Sequence, residues 1–112
     1  MAWVPERGDV VWFSLKPQVG REQAGRRPAV VPSPAAYNER VGLAVFCPIT
    51  SVVKGYPFEV PLPPDTGAHG VVLADQVRSL DWRARKAEFH AWLPDATTAE
   101  ILERLHALLD AA

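Results

Sequence analysis

The chain has 112 residues, about half of them apolar (48%), a formal net charge of -1 and a single cysteine. That is enough for one domain with a real core, and we treat residues 1–112 as such. It excludes a globally basic nucleic-acid binder and a disulfide-built scaffold. Along the chain, Val10-Val11-Trp12-Phe13 follows Gly8-Asp9 and reads as a strand, β-branched and aromatic between turn signals. Lys16 to Arg26 is polar, contains Gly20 and Gly25, and reads as a long loop of the kind that is usually functional or disordered. Ala29-Val30-Val31 is a second short strand, stopped by Pro32-Ser33-Pro34 and followed by a turn or short helical piece through Tyr37-Asn38. Gly42 to Ile49 is the longest apolar stretch and is predicted to be a central strand. Ser51 to Pro57 is a loop. Phe58 to Leu62 is a strand that Pro61 confines to an edge or an end. Pro63 to Gly70 is rich in turn residues. Val71 to Ala74 is a strand, Gln76 to Leu80 a possible continuation of the sheet, and Glu88 to Leu93 a weaker strand.

The final segment carries the clearest helical signal. Thr97 and Glu100 have capping-box spacing, and Ile101, Leu102, Leu105, Leu108 and Leu109 fall on one helical face. Burying such side chains contributes roughly 1.5–3 kcal/mol each. Many short strands with proline and glycine punctuation, then a terminal helix, point to a mainly β fold: a small barrel with added helices. No internal repeat or domain boundary is visible. The opening residues are no signal peptide and no apolar run is long enough to span a membrane, so the chain reads as soluble and cytoplasmic.

Charge is distributed unevenly. Lys16, Arg21, Arg26 and Arg27 against Glu22 give one segment a net +3, and Arg78, Arg83, Arg85 and Lys86 against Asp81 give another the same. If the two meet they form a patch for an anionic ligand; if not, they are solvated surface. From Asp95 onward the chain is acidic, net -3. His69, His90 and His106 are scattered and Cys47 is alone, so metal-ligand spacing is missing and no metal is expected. Cys47, inside Val45-Phe46-Cys47, reads as a buried core thiol. No phosphate-binding glycine loop or serine elbow is present, so no cofactor is expected.

Three segments remain. Arg21 to Pro28 closes the long loop, Cys47 to Ser51 ends the central strand and leads to Lys54-Gly55-Tyr56-Pro57-Phe58, and Leu73 to Arg78 follows a later strand. With Gly8, Asp9, Val10 and Trp12 at the start, Glu22 to Val31, Lys54 to Val60 and Ala74 to Val77 resemble the MazF/PemK family of toxin endoribonucleases in order and spacing, roughly from Gly8 to Arg85. The resemblance implies an SH3-like small β-barrel with a C-terminal helix. It also implies a homodimer and an antitoxin partner with an acidic, disordered tail. The activity implied is metal-independent cleavage of single-stranded RNA, in which the ribose 2′-OH attacks its own 3′-phosphate to leave a cyclic phosphate and a 5′-OH.

By the same resemblance Arg27 and Thr50 match the catalytic arginine and threonine, and Glu22 matches a further required residue. A guanidinium barely deprotonates near neutral pH, so Arg27 suits charge stabilisation of the phosphate. Glu22, among arginines, serves as proton acceptor or as an organiser of Arg27. Candidate RNA contacts are Lys54, Gln23, Arg21, Arg26, Ser51, Gln76 and Tyr56; Trp12, Phe13 and Tyr56 are candidate stacking platforms, with a core or dimer contact as the other reading of Trp12 and Phe13. Two other classes remain open at this point: a gyrase-targeting toxin of the CcdB type on the same fold, and a non-catalytic SH3-like binding module.

Overall fold

Strand β1, Asp9–Ser14, forms where Val10 to Phe13 alternate across two apolar environments. The computed structural model of the chain describes residues 3–14 and 25–110. The further strands are β2 (Arg26–Val30), β3 (Ala44–Thr50), β4 (Glu59–Pro61), β5 (Val71–Leu73), β6 (Arg78–Leu80) and β7 (Glu88–Trp92). Helix α1 (Ala35–Val41) lies between β2 and β3, and helix α2 (Asp95–Leu109) ends the fold. All strand pairs are antiparallel, in the order β4-β5-β3-β2-β1-β7, with β6 paired to β3 off that path.

The expected mainly β architecture with a terminal helix is what forms. Among the described residues the pairing path does not close into a ring, so the barrel is an open, bent sheet. Pro61 sits on β4, an edge strand, where its missing N–H leaves no ladder bond unmade. Residues 78–80 do extend the sheet, as β6 paired with β3, after Ala74–Gln76 make one 3₁₀ turn.

Period-two alternation divides the core in two. Val10, Val30, Cys47 and Ile49 join Val60, Val72 and Ile101 of α2 on one side of the sheet. Val11, Phe13, Ala29, Val31, Ala44 and Phe46 join Leu80 and Trp82 on the other. Phe13 and Phe46 stack there with ring centroids 5.1 Å apart. Burial on both faces explains why Val10-Val11, Ala29-Val30-Val31 and Val45 to Cys47 are unbroken apolar runs. Trp82, unassigned from sequence, is a core residue whose Nε1–H donates to the Asn38 carbonyl at 2.9 Å. Buried Asn38 also donates to the Pro5 and Ser33 carbonyls and accepts from Ser33 Oγ, tying the N-terminal segment, α1 and Trp82 together.

Helix α2 corrects two expectations. Its N-cap is Pro94, with no side-chain cap, and Thr97 is buried in the first turn with its N–H on the Pro94 carbonyl. The apolar face is also narrower than the leucine spacing suggests. Ile101 is fully buried and Leu105 packs partly against the core, but Leu109 is 82% exposed. Ile101→Ala should therefore destabilise the chain by roughly 2–5 kcal/mol, and Leu109→Ala by less than about 0.5 kcal/mol, in urea unfolding.

Cys47 is fully buried, as its apolar context indicates. Loss of hydration, with a lesser contribution from the Asp75 carboxylate, pushes its thiol up to about 12. The thiolate is thus negligible at neutral pH. Aromatic disulfide reagents should leave folded protein unmodified at pH 8 and titrate one thiol per chain in denaturant; rapid native labelling would contradict the burial.

Candidate functional site

Strands β2 and β3 pair through Ala29↔Pro48 and Val30↔Cys47, which brings the start of one beside the end of the other. Arg27 lies at that start and Thr50 at that end. Both line a groove of about 370 Å³, together with Trp12 of β1, Pro28, Ile49, Ser51, residues 67–69 and His90 of β7. Arg27 is exposed; its Nη1 donates to the Arg26 carbonyl at 3.1 Å, and it has no ion-pair partner among the described residues. Thr50 Oγ1 accepts the Val52 N–H at 3.1 Å, turning the chain out of β3 with the hydroxyl proton left to donate. A guanidinium and an oriented hydroxyl at one open groove can grip a phosphate.

Gly70 fixes the groove wall. β5 pairs with β3 at Thr50↔Val71, so Gly70 meets Ser51 just beyond the last paired residues. A Cβ at Gly70 would lie 2.0 Å from the Thr50 carbonyl oxygen and 2.9 Å from Ser51 Cα, and its φ of +107° suits glycine alone. The segment before it is equally constrained. Buried Thr66 places Oγ1 3.0 Å from the Pro63 carbonyl and 3.3 Å from that of Ala68. His90 Nε2 lies 2.7 Å from the Gly67 carbonyl, and the imidazole meets Trp12 edge-on with centroids 5.9 Å apart.

The other residues singled out from sequence separate into groups. Ser51 lies in the groove with Arg27 and Thr50. Lys54 and Tyr56 follow on the loop that leaves β3. That loop is held by the buried Glu59 carboxylate, which accepts the N–H groups of Lys54 (2.9 Å) and Gly55 (2.8 Å), and by Arg104 of α2 on the Pro57 carbonyl (2.9 Å). Tyr56 donates to Asp75 Oδ1 at 3.0 Å, with Gln76 alongside; partial burial and then the Asp75 carboxylate raise its pKa, so it stays a neutral donor. Arg26 turns away from the groove. It pairs with Glu88 and donates to Ser14 Oγ and the Lys86 carbonyl, so the two basic segments do meet, but with a carboxylate between them. Arg83 stacks on Trp82, its guanidinium carbon 4.2 Å from the ring centroid. Phe13 is buried in the core and is no stacking platform, whereas Trp12 is 38% exposed at the groove. Glu22, Gln23 and Arg21 lie outside the described residues.

Sequence reasoning missed His69 and His90, both in the groove, and Glu59, which shapes the loop carrying Lys54. Only pairing register could have shown them, because residues 63–70 look like plain turn in one dimension. Among the described residues no group of three or more His, Cys, Asp or Glu side chains is arranged to hold a metal ion, and no helix is long and apolar enough to cross a membrane.

Residues 6–109 match the family described as PemK-like, MazF-like toxin of type II toxin-antitoxin system. Endoribonuclease toxin MazF of Escherichia coli (strain K12) is 52% identical over 85 residues, covering 76% of each chain. Among solved structures, MazF from Deinococcus radiodurans superposes with a TM-score of 0.86 at 56% identity, covering 96% of this chain and 98% of that one. A MazE-MazF structure from the same organism matches with a TM-score of 0.87 at 50% identity, covering 99% of this chain and all of that chain.

The contact between Gly70 and Thr50 gives a sharp test of the groove. Gly70→Ala should destabilise the fold by roughly 2–5 kcal/mol in urea unfolding, combining left-handed strain with overpacking against a backbone carbonyl. A change below about 0.5 kcal/mol would show that β3 and β5 are not so close at Thr50.

Proposed function

From its membership of the family of PemK-like, MazF-like toxins of type II toxin-antitoxin systems, to which this chain belongs, we propose that it cuts single-stranded RNA in the groove between β2 and β3. The chain is an endoribonuclease toxin, and its partner is an antitoxin of the MazE kind. The observation that supports the site is the convergence of Arg27 and Thr50, from separate strands, on one groove.

The chemistry follows from what RNA itself supplies. The 2′-OH of the nucleotide before the cut attacks the adjacent phosphorus, the 2′-oxygen–phosphorus bond forms, and the bond to the 5′-oxygen breaks. Products are a 2′,3′-cyclic phosphate and a 5′-OH, and no water is added in this step. Because the nucleophile belongs to the substrate, the protein must hold the phosphate, stabilise charge on its oxygens and move protons. Arg27 offers a planar fork to the non-bridging oxygens. Thr50 donates its hydroxyl to the same phosphate. Trp12 gives a flanking base a surface to stack on, and Lys54 and Ser51 contact the RNA backbone or sugar. Glu22 adds a carboxylate as proton acceptor or as organiser of Arg27. We place the toxin in the cytoplasm, where its RNA is, as a homodimer whose groove an acidic antitoxin tail covers.

Purified, antitoxin-free protein incubated with a long transcript in excess EDTA should give cuts at a short sequence motif, each with a 5′-OH end. Arg27→Ala should lower the rate by about 10²-fold or more with the fold intact, and Arg27→Lys, which keeps charge but loses the fork, by less. Absence of cleavage by folded wild-type protein, or an Arg27→Ala rate equal to wild type, would reject this assignment.

A further inference from the structure

The loop that leaves β3 is shaped by hydrogen bonds more than by apolar packing. Ser51 to Gly55 are all exposed, and Val52 and Val53 stand 61% and 62% in solvent. The later part of the loop has its own ties: Tyr56 on Asp75, the Pro57 carbonyl on Arg104, and the Phe58 carbonyl on the Ala74 N–H at 3.0 Å. The earlier part is fixed at two points. One is the Thr50 hydroxyl oxygen, which accepts the Val52 N–H; the other is the Glu59 carboxylate, which accepts the N–H groups of Lys54 and Gly55.

The second point is built for an anion. Lys54 and Gly55 supply successive amides, one to each carboxylate oxygen, at 2.9 and 2.8 Å. Gly55 has a φ of +84°, the left-handed turn that lets neighbouring N–H groups face one anion. Glu59 begins β4 and is only 8% exposed, so the anion is anchored in the sheet while the loop it holds lies in solvent. An ionised acceptor holds such donors more tightly than a neutral one. The Lys54 side chain itself is exposed. It follows Thr50 by four residues, at most about 14 Å along the chain, close enough to serve another phosphate of a strand gripped at Thr50.

We propose that Glu59 is a positioning residue for RNA binding: by holding the Lys54 and Gly55 amides, its carboxylate fixes where the Lys54 ammonium meets the RNA backbone. This rests on the assignment of RNA cleavage to the groove and of Lys54 to the backbone of that RNA. Glu59 touches no reacting atom; it acts through Lys54. Without its carboxylate the loop still leaves β3 at Thr50, but Lys54 samples many positions, and binding must order the loop before the contact forms. Arg27 and Thr50 stand on paired strands, so the chemical step is spared.

The test is the salt dependence of binding to a cut-site RNA oligonucleotide whose attacking 2′-OH is replaced by hydrogen, beside single-turnover cleavage of the unmodified RNA in EDTA. Each phosphate contact to a single strand contributes about 0.7 to the slope of log affinity against log salt. Lys54→Ala should lower that slope by about 0.7 and weaken binding about 3–10-fold at low salt. Glu59→Gln, whose NH₂ cannot accept the second amide, should reproduce both changes. Its half-saturating RNA concentration in cleavage should rise, with the rate at saturating RNA within about twofold of wild type. The Glu59→Gln/Lys54→Ala double variant should bind no more weakly than Lys54→Ala alone. Gly55→Ala gives a second probe that leaves the core untouched: a Cβ there meets nothing within 4 Å, so only the left-handed turn is strained. It too should lower the slope, whereas Ile101→Val should lower the melting temperature and keep the wild-type slope. A wild-type slope in both Glu59→Gln and Gly55→Ala, additive losses in the double variant, or an equal loss of slope in Ile101→Val overturns the proposal, as does wild-type binding by Lys54→Ala. These outcomes leave cleavage by the wild type and its loss in Arg27→Ala intact. Silence of the wild type, or full activity of Arg27→Ala, instead rejects the RNA-cleaving assignment on which the proposal stands.

Discussion

β3 is buried on both faces and serves three neighbours in seven residues. Ala44 to Phe46 pair with β6, Cys47 and Pro48 with β2, and Ile49 and Thr50 with β5. Pro48 stands where the strand passes from one partner to the next, a place where a missing N–H is least disruptive. The 3₁₀ turn between β5 and β6 makes the same switch possible from the other side, by letting one stretch of chain pair twice with β3. The bend of the sheet, the split of the core and the position of Thr50 all follow from this arrangement. A slip of one residue would turn Phe46 and Cys47 to opposite cores and move the hydroxyl off the groove.

That constraint also explains why the groove is assembled from backbone contacts more than from side chains. Thr50 is located by the carbonyl that Gly70 approaches, and the loop after it by the Glu59 carboxylate on two amides. α2 adds a remote brace through Arg104 on the Pro57 carbonyl. The parts expected to touch RNA are left as protruding side chains on this frame. A frame fixed by backbone contacts and carrying exposed side chains suits a substrate that arrives unstructured and must be bent until its 2′-oxygen faces phosphorus.

Sequence patterning captured the elements whose cause is local. Val10 to Phe13, the run ending at Ile49 and the leucine-rich tail are decided by hydrophobic period, and Pro61 by its missing donor. Arg27, Thr50 and the region after Thr50 were legible because the resemblance rests on contiguous segments around them. What was not legible depends on pairing at a distance. The N-cap of α2 is Pro94 while Thr97 lies buried in the first turn, and Leu109 at the far end is exposed. His69 and His90 share a groove only through the pairing of β5 with β3 and of β7 with β1, 21 positions apart in the sequence. The bulge that shifts register between Val10 and Val11 leaves His90 out of the regular ladder, a local event that no alternation pattern in Glu88 to Trp92 encodes.

Electrostatics within the site are more selective than the two +3 segments suggest. Arg26 is adjacent to Arg27, yet strand alternation sends it to Glu88, Ser14 and the Lys86 carbonyl, where it joins β2 to β7. Arg83 is likewise committed to Trp82. Among the described residues, Arg27 is left at the groove with only a backbone carbonyl as partner. A phosphate entering there meets a guanidinium with no carboxylate paired to it among the described residues. This is how a chain of net charge -1 can present an anion site: among the described residues Arg26 and Arg83 are consumed in structure, and Arg27 at the groove is not.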